Sequence, residues 1–324
     1  MSLFSELTVG TTVSITVAVK SATARKTKAG KDYLTLELFD GSDTIQGNYW
    51  DWTSGKIPEA NTVLDVTATV TEWSGTKQLN VSRVASNKEV PIETFAPKST
   101  YDVGQIYRDC YALASGIGDD YLANLCVNIL EALMSKWQTI PGALTVHHAY
   151  LGGTLIHSYS VARIAGMIAR VTPEANEDLC VAGALLHDVG KLYAYQLDKA
   201  TISMTDEGKL YEHVFMGAEF VGNFSDENEL AKTEQDEHKL MILRHIILSH
   251  HGALEYGAPV TPACIEAHIV HHADAVDAAC ETIRAASLKV GDHMWTDRIW
   301  SLGNKPSLTT QYVQSTMKSS SVEK

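Results

Sequence analysis

The sequence predicts an α+β chain of more than one domain, in which a small closed barrel of five strands precedes an all-α domain. Three observations carry this. Residues 1–90 alternate apolar and polar side chains in period two between turns. From Tyr101 onward the apolar spacing changes to three and four. All 13 histidines lie in that second stretch, and none precedes residue 147. A chain of 324 residues is long enough for about two domains, each burying its own core.

The strands follow in order. Val13, Ile15, Val17 and Val19 make one run, and Tyr33, Leu34, Leu36, Leu38 and Phe39 a second. Ile45 to Trp50, Val63 to Val70 and Leu79 to Val84 supply three more. Turn residues separate them at Lys28–Asp32, Asp40–Asp43, Pro58–Asn61 and Ser74–Thr76. Five short strands with few helical stretches fit a small closed barrel, and a small β-sandwich has the same strand count. Residues 91–100, with Pro91 and Pro97 and little periodicity, read as a linker. Helical stripes then run through Ile156, Val161, Ile164 and Ile168, and through Leu179 and Leu186. The expected division is a barrel over 1–90, a linker over 91–100, an all-α domain over 101–302 and a flexible polar tail over 303–324.

Composition removes several classes. With 45% hydrophobic residues and 8% aromatics, the chain is neither disordered throughout nor fibrous. No apolar run approaches the ~18 residues of a membrane helix, and residues 1–5 lack a basic region, so a cytoplasmic protein without a membrane partner is expected. Cys110, Cys126, Cys180, Cys264 and Cys280 are scattered without a CxxC pair, which reads as free thiols in a reducing compartment. The formal net charge of −13 divides into −1 for residues 1–98 (10 basic, 11 acidic) and −12 for residues 99–324 (16 basic, 28 acidic). A large basic footprint for duplex nucleic acid is therefore absent.

The histidines carry the functional signal. His157 shares a helix face with Val161 and Ile164, and His187-Asp188 closes the run that ends at Leu186. His213 precedes Gly217 and Phe220, His250-His251 continues the Leu240, Leu243, Ile247 stripe, and Asp274 lies on a helix opening near Pro262. A lone histidine on an apolar face is more often a packed residue than a ligand. The ordered set is different: imidazole and carboxylate donors without thiolate suit a hard-to-borderline divalent metal. Seven candidate ligands are too many for one ion and about right for two.

The string Ala184-Leu185-Leu186-His187-Asp188-Val189-Gly190-Lys191 resembles the HD-domain metal phosphohydrolase motif in its HDxGK form. His147-His148-Ala149-Tyr150-Leu151-Gly152-Gly153 through His157, Ser249-His250-His251-Gly252 through Pro259, and Glu266-Ala267 followed by His271 to Asp277 resemble the YhaM-type 3′→5′ exoribonucleases. That family joins an N-terminal OB-fold to a C-terminal HD domain, and the resemblance spans residues 10–300. It implies His157, His187, Asp188, His213, His250, His251 and Asp274 as metal ligands, with Lys191 as a phosphate contact, and Asp188 and Lys191 as the catalytic pair. It also implies two divalent ions, with Mn²⁺ favoured over Fe²⁺, Co²⁺ or Mg²⁺. Two positions depart from the pattern: Ile156 stands where an acidic residue is usual, and Glu212 where glycine is usual.

His147 and His148, before the Gly152-Gly153 pair, are expected at the mouth of the site as substrate contacts, a role weighed evenly against a turn. His245, His271 and His272 are open between orienting ligands and packing. His238, His268 and His293 read as structural. In the barrel half, Lys20, Arg25, Lys26, Lys28 and Lys31 place five cations in twelve residues, and Tyr33, Tyr49, Trp50, Trp52 and Trp73 are available to stack on bases. Arg25, Lys26, Lys28 and Trp50 are the expected substrate contacts there. The alternative for Trp50 and Tyr33 is filling the barrel.

Neither GxSxG nor GxxxxGK[ST] occurs, so acyl-enzyme and nucleotide-motor chemistry lack support. The expected activity is two-metal hydrolysis of single-stranded RNA or DNA from the 3′ end to nucleoside monophosphates. The alternatives are a phosphohydrolase of small or cyclic nucleotides whose barrel serves as a homo-oligomer contact, and a nucleic-acid binder without activity.

Overall fold

A computed structural model describes residues 3–52, 55–144, 148–198, 201–288, 290 and 294–309. The chain divides into two compact units, Met1–Lys98 with Leu197–Ile202, and Ser99–Gln196 with Ser203–Lys324.

In the first unit, β1 (Thr12–Lys26), β2 (Asp32–Phe39), β3 (Thr44–Tyr49), β4 (Val63–Trp73) and β5 (Thr76–Ser86) follow the five runs of period two. They close into a barrel of order β1-β2-β3-β5-β4, antiparallel except for the β3–β5 seam, where Gly47 pairs with Leu79 and Asn48 with Asn80. This is the five-stranded Greek-key barrel of the OB type. Alternation sets the two faces: Leu34, Leu36 and Leu38 point inward and are fully buried, while Tyr33, Thr35 and Glu37 point outward. A bulge between Val19 and Ser21 lets the long β1 bend and pair with both β2 and β4. The short helix α1 (Leu3–Glu6) adds Phe4 to the barrel core, and Lys77 Nζ donates to the carbonyls of Ser5 and Leu7 at 3.1 and 2.7 Å. The segment that reads as a linker contains a 3-10 turn at Ile92–Phe95, and Phe95 is buried with Ala18, Phe39 and Val63.

The second unit holds α2 (Val103–Ser115), α3 (Asp120–Ala132), α4 (Met134–Thr139), α5 (Gly153–Val171), α6 (Glu177–Leu186), α7 (Lys191–Ala194), α8 (Asp206–Glu227), α9 (Glu234–Ser249) and α10 (Ile265–Ser287). Side-chain caps fix their starts: Asp102, Asp119, Asn176 and Thr205 each accept from a backbone N–H in the first turn, and Thr233 with Asp236 makes a capping box. One apolar core runs through α2, α3, α5, α6, α9 and α10, with Leu125, Ile129, Trp137, Leu155, Leu185 and Ile247 in it. The all-α expectation needs one addition. Between α7 and α8 the chain forms a two-stranded hairpin of β6 (Tyr195–Asp198) and β7 (Thr201–Met204), of which Leu197–Ile202 fall to the first unit, and it is too short for period two to register in the sequence. Of the tail expected to be loose, residues 303–309 are paired through Ile299 with Lys305 and Trp295 with Leu308, and 310–324 lie outside the described residues. No helix of the described residues is long and apolar enough to cross a membrane.

Helix α8 is broken at Glu212, whose φ of 60° and ψ of 148° lie outside the helical region. That corner of backbone space is nearly glycine-only and costs other residues about 1–3 kcal/mol. A glycine at this position would take the same conformation without that cost. Glu212→Gly is expected to stabilise the protein by about 1 kcal/mol, net of the extra freedom glycine gives the unfolded chain. Urea unfolding of the two proteins measures this, and a less stable glycine variant would contradict the strained conformation.

Candidate metal centre and nucleic-acid face

Helix α5 carries His157, the turn after α6 carries His187 and Asp188, α8 carries His213, the end of α9 carries His250 and His251, and α10 carries Asp274. These seven side chains converge. Their donor atoms form overlapping groups, each within 4.8 Å: His213, His250 and His251; His187, Asp188 and His250; His157, His187 and Asp274.

Asp188 lies between the groups, and its carboxylate is 1% exposed. Oδ1 faces His213 Nε2 at 3.5 Å and His250 Nε2 at 3.7 Å. Oδ2 faces His187 Nε2 at 3.3 Å and His157 Nε2 at 3.5 Å, and takes an ion pair from Lys191 Nζ at 2.6 Å. On the far side, His157 Nε2 is 3.1 Å from Asp274 Oδ1 and 3.2 Å from His187 Nε2. Asp188 Oδ1 and His213 Nε2 are buried yet have no hydrogen-bond partner among the described residues. An unmet carboxylate oxygen facing an unmet imidazole nitrogen costs several kcal/mol in a dry site unless a cation completes it.

The ring nitrogens are oriented for such a cation. Nδ1 of His187 meets the Ala184 carbonyl at 2.7 Å, Nδ1 of His250 the Ile247 carbonyl at 2.7 Å, and Nδ1 of His251 the Tyr256 carbonyl at 2.9 Å. Nδ1 of His157 meets Asp277 Oδ2 at 2.7 Å. Since only N–H satisfies these acceptors, Nδ1 carries the proton in all four rings; His187, His250 and His251 keep the Nε2 lone pair toward the centre, as metal-binding imidazoles do, while His157 Nε2 meets the Asp274 carboxylate with a proton that a cation would displace. Imidazole and carboxylate donors without thiolate fit two hard-to-borderline divalent ions.

Gly190 permits the convergence. A Cβ there would sit 1.9 Å from the His213 carbonyl oxygen, so the glycine of HDxGK is what lets α8 press against the turn bearing Asp188. Lys191 is not an exposed helix-end lysine but 7% exposed and bound to Asp188. Burial opposes ionisation of Asp188, but Lys191 and the surrounding imidazoles outweigh it and hold the carboxyl well below the usual range. Burial pushes His213 down to about 3 and His250 well below the ordinary imidazole range, so both are neutral and able to ligate. His148 is also lowered by burial. Burial lowers His157 too, but its bonds to Asp274 and Asp277 prevail and raise it.

Several expectations change. His148 is not a substrate contact at the mouth: it is 3% exposed and its Nε2 bonds Asp277 Oδ2 at 2.9 Å, because Gly153 lets its loop fold inward. His147 lies outside the described residues, as does His293. Ile156 sits 1% exposed in the apolar core, and the carboxylates that meet His157 come instead from Asp274 and Asp277 on α10 and from Asp188. Glu212 is exposed, its carboxylate 4.0 Å from His213 Nδ1. His245 Nε2 accepts from Ala263 N, His271 Nδ1 donates to the His250 carbonyl, and His238, His268 and His272 are exposed. Sequence reasoning did not assign Asp277 a role. Its signals were its place at the end of the His271–Asp277 segment and its position one helical turn beyond Asp274.

On the barrel, Trp50 is 42% exposed and stacks on Tyr33 with ring centroids 4.5 Å apart, so it does not fill the interior. Arg25 pairs with Tyr33 across β1 and β2, which puts the cation beside this stack. A shallow groove of about 200 Å³ is lined by Trp50, Trp73, Asn48, Gln78 and Asn80, among others. Trp73 is 72% exposed. Tyr49 and Trp52 pack partly against the barrel core. Of the five clustered cations, Lys26 pairs with Asp32 at 2.9 Å, Lys31 with Asp51 at 3.1 Å, and Lys20 lies 4.3 Å over the Phe39 ring. Arg25 and Lys28 are exposed, with no ion pair among the described residues.

Residues 154–279 match the HD-domain family. The match ends two residues beyond Asp277 and takes in every converging ligand. An HD domain with this donor set indicates a metal-dependent hydrolase. The chain is also similar to the second OB-fold domain of replication protein A from Methanococcus maripaludis, solved by NMR, at 18% identity and a TM-score of 0.23 over 26% of this chain and 93% of that one.

Two outcomes follow from the HD centre. Gly190→Ala is expected to separate the Asp188 turn from α8, costing about 1–3 kcal/mol as overpacking does. Unfolding midpoint and bound metal should fall together, and retention of both would contradict the close approach. For the metal-free protein, His148, His213 and His250 have folded values below the unfolded 6.5, so their stability is present above pH 6.5 and lost below it. His157 has the opposite sign: its contribution is present below pH 6.5 and declines above it. Thermal unfolding after chelation is expected to show a stability maximum near pH 6.5, with a shallower acid-side fall in His213→Gln.

Proposed function

We propose that this protein is a metal-dependent 3′→5′ exonuclease of single-stranded RNA, with single-stranded DNA as a further substrate, releasing nucleoside monophosphates in the cytoplasm. The observation that carries the hydrolytic half is the buried Asp188 carboxylate with its two oxygens turned toward two separate histidine sets. His157, His187 and Asp274 would hold one ion and His213, His250 and His251 the other, with Asp188 between them. Two such ions, Mn²⁺ favoured, supply an acidified water and neutralise charge on phosphorus and the leaving oxygen.

The residues have separable tasks. Asp188 keeps both ligand sets in one dry pocket and is ionised at neutral pH. Lys191 Nζ, 2.6 Å from Asp188 Oδ2, is near enough to the pocket to reach a phosphoryl oxygen and balance its charge. The neutral His213 and His250 offer lone pairs with no proton to lose first. The net charge of −12 over residues 99–324 makes phosphate entry depend on the cations being bound.

The barrel supports the single-strand half. Trp50 and Trp73 offer exposed faces for stacking, Asn80 offers an exposed amide to base edges, and Arg25 with Lys28 meets the backbone. The 3′ polarity and stepwise release rest on the resemblance to the YhaM-type enzymes given by the HDxGK and His-His segments.

Incubation of the protein with 5′-labelled single-stranded RNA and Mn²⁺ should give a ladder that shortens from the 3′ end. Chelator and Asp188→Ala should each abolish it. Trp50→Ala and Trp73→Ala should raise KM, each weakening binding by about 1–3 kcal/mol, with kcat little changed. An oligomer left intact while small or cyclic nucleotides are hydrolysed would replace this reading with the nucleotide phosphohydrolase.

A further inference from the structure

Behind the ligands lies a second layer of polar side chains outside the HDxGK pattern. Asp277 stands three residues after Asp274 on α10, one turn along the same face, and is 8% exposed. Its Oδ2 accepts from His157 Nδ1 at 2.7 Å and from His148 Nε2 at 2.9 Å. His148 Nδ1 in turn faces the Tyr150 hydroxyl at 2.8 Å. That hydroxyl also lies 3.3 Å from Glu281 Oε1, and Glu281 is gripped by Arg284 through two bonds of 2.5 and 2.6 Å. The buried chain therefore runs Tyr150, His148, Asp277, His157, and ends at the metal centre.

The direction is fixed at Asp277, whose carboxylate can only accept, so His157 Nδ1 and His148 Nε2 both turn an N–H toward it, while the Tyr150 hydroxyl bridges His148 Nδ1 and Glu281. The backbone is held to the same end. His148 has a φ of 53°, its carbonyl accepts from Gly142 N at 2.9 Å and Tyr150 N at 2.8 Å, and a Cβ on Gly153 would lie 2.0 Å from that carbonyl oxygen. A buried non-glycine residue at positive φ is sustained only where its surroundings over-determine it.

We propose that Asp277 is a positioning residue that locks His157 with its proton on Nδ1 and so aims Nε2 at the ion held with His187 and Asp274, His148 and Tyr150 fixing the carboxylate from behind. The proposal rests on the metal reading above. The carboxylate lies on the side of the ring away from the centre, so it acts through His157. It both orients the ring and raises the basicity of the ligating nitrogen.

The test is Mn²⁺ and Co²⁺ binding to the chelated full-length protein, followed by calorimetry and by the Co²⁺ d–d absorption spectrum. Asp277→Asn is expected to weaken one of the two ions by about 10–100-fold and shift the Co²⁺ bands, with two ions still bound at saturation. Tyr150→Phe should move both readouts the same way by less, and serves in place of Asp277→Asn if that protein does not fold. Unchanged affinity and spectrum would overturn the proposal while leaving the metal centre standing. Loss of one whole ion, the other keeping its wild-type affinity, would make Asp277 a ligand and overturn it as well. Failure of the wild type to bind either metal would overturn the metal reading and this inference together.

Discussion

Everything at the helical centre turns on one carboxylate buried in a place where a charge is expensive. Asp188 is 1% exposed, and the surrounding apolar core would drive it to its neutral form in isolation. Lys191 satisfies one oxygen. The other faces the neutral nitrogens of His213 and His250 without a bond to either, which leaves a site one or more positive charges short. A divalent cation held by these imidazoles and carboxylates would offset that deficit.

Three backbone devices hold the arrangement. Gly190 lets the His213 turn touch the Asp188 turn, Gly153 lets the His148 loop fold under α5, and Glu212 breaks α8 so that His213 starts a fresh helical segment. The carbonyls and carboxylate that hold Nδ1 of His157, His187, His250 and His251 then fix a proton on Nδ1 of all four rings. Pre-set donors need little reorganisation when a cation arrives, which is the condition for tight binding at low cost.

The barrel unit works by a different rule. Its interior is closed by Leu34, Leu36, Leu38 and Leu79, so the outer face is left to function. There the Arg25–Tyr33–Trp50 row and the amides of Gln78 and Asn80 sit on paired strands whose side chains alternate by necessity of the pleat. Local acids offset part of the nearby charge, as Asp32 does for Lys26 and Asp51 for Lys31. Stacking surface is therefore more plentiful on this face than unbalanced cations.

Periodicity and donor chemistry are local properties, and they were legible in the chain. Period two gave the five strands because each barrel strand has one apolar face, and the spacing of His157, His187-Asp188, His213, His250-His251 and Asp274 gave the donor set. Which histidine would join the converging groups around Asp188 and which would stand behind them was not legible. His148 and His251 look alike in sequence, each one of an adjacent pair near glycines. Only the packing of α5 against α10 sends the first to Asp277, while the close of α9 sends the second to His213. Asp277 was silent for the same reason, since its partners lie 120 and 129 residues away along the chain. The strain at Glu212 belongs to the same class, because a backbone angle is imposed by the elements on either side of it and leaves no mark on a glutamate.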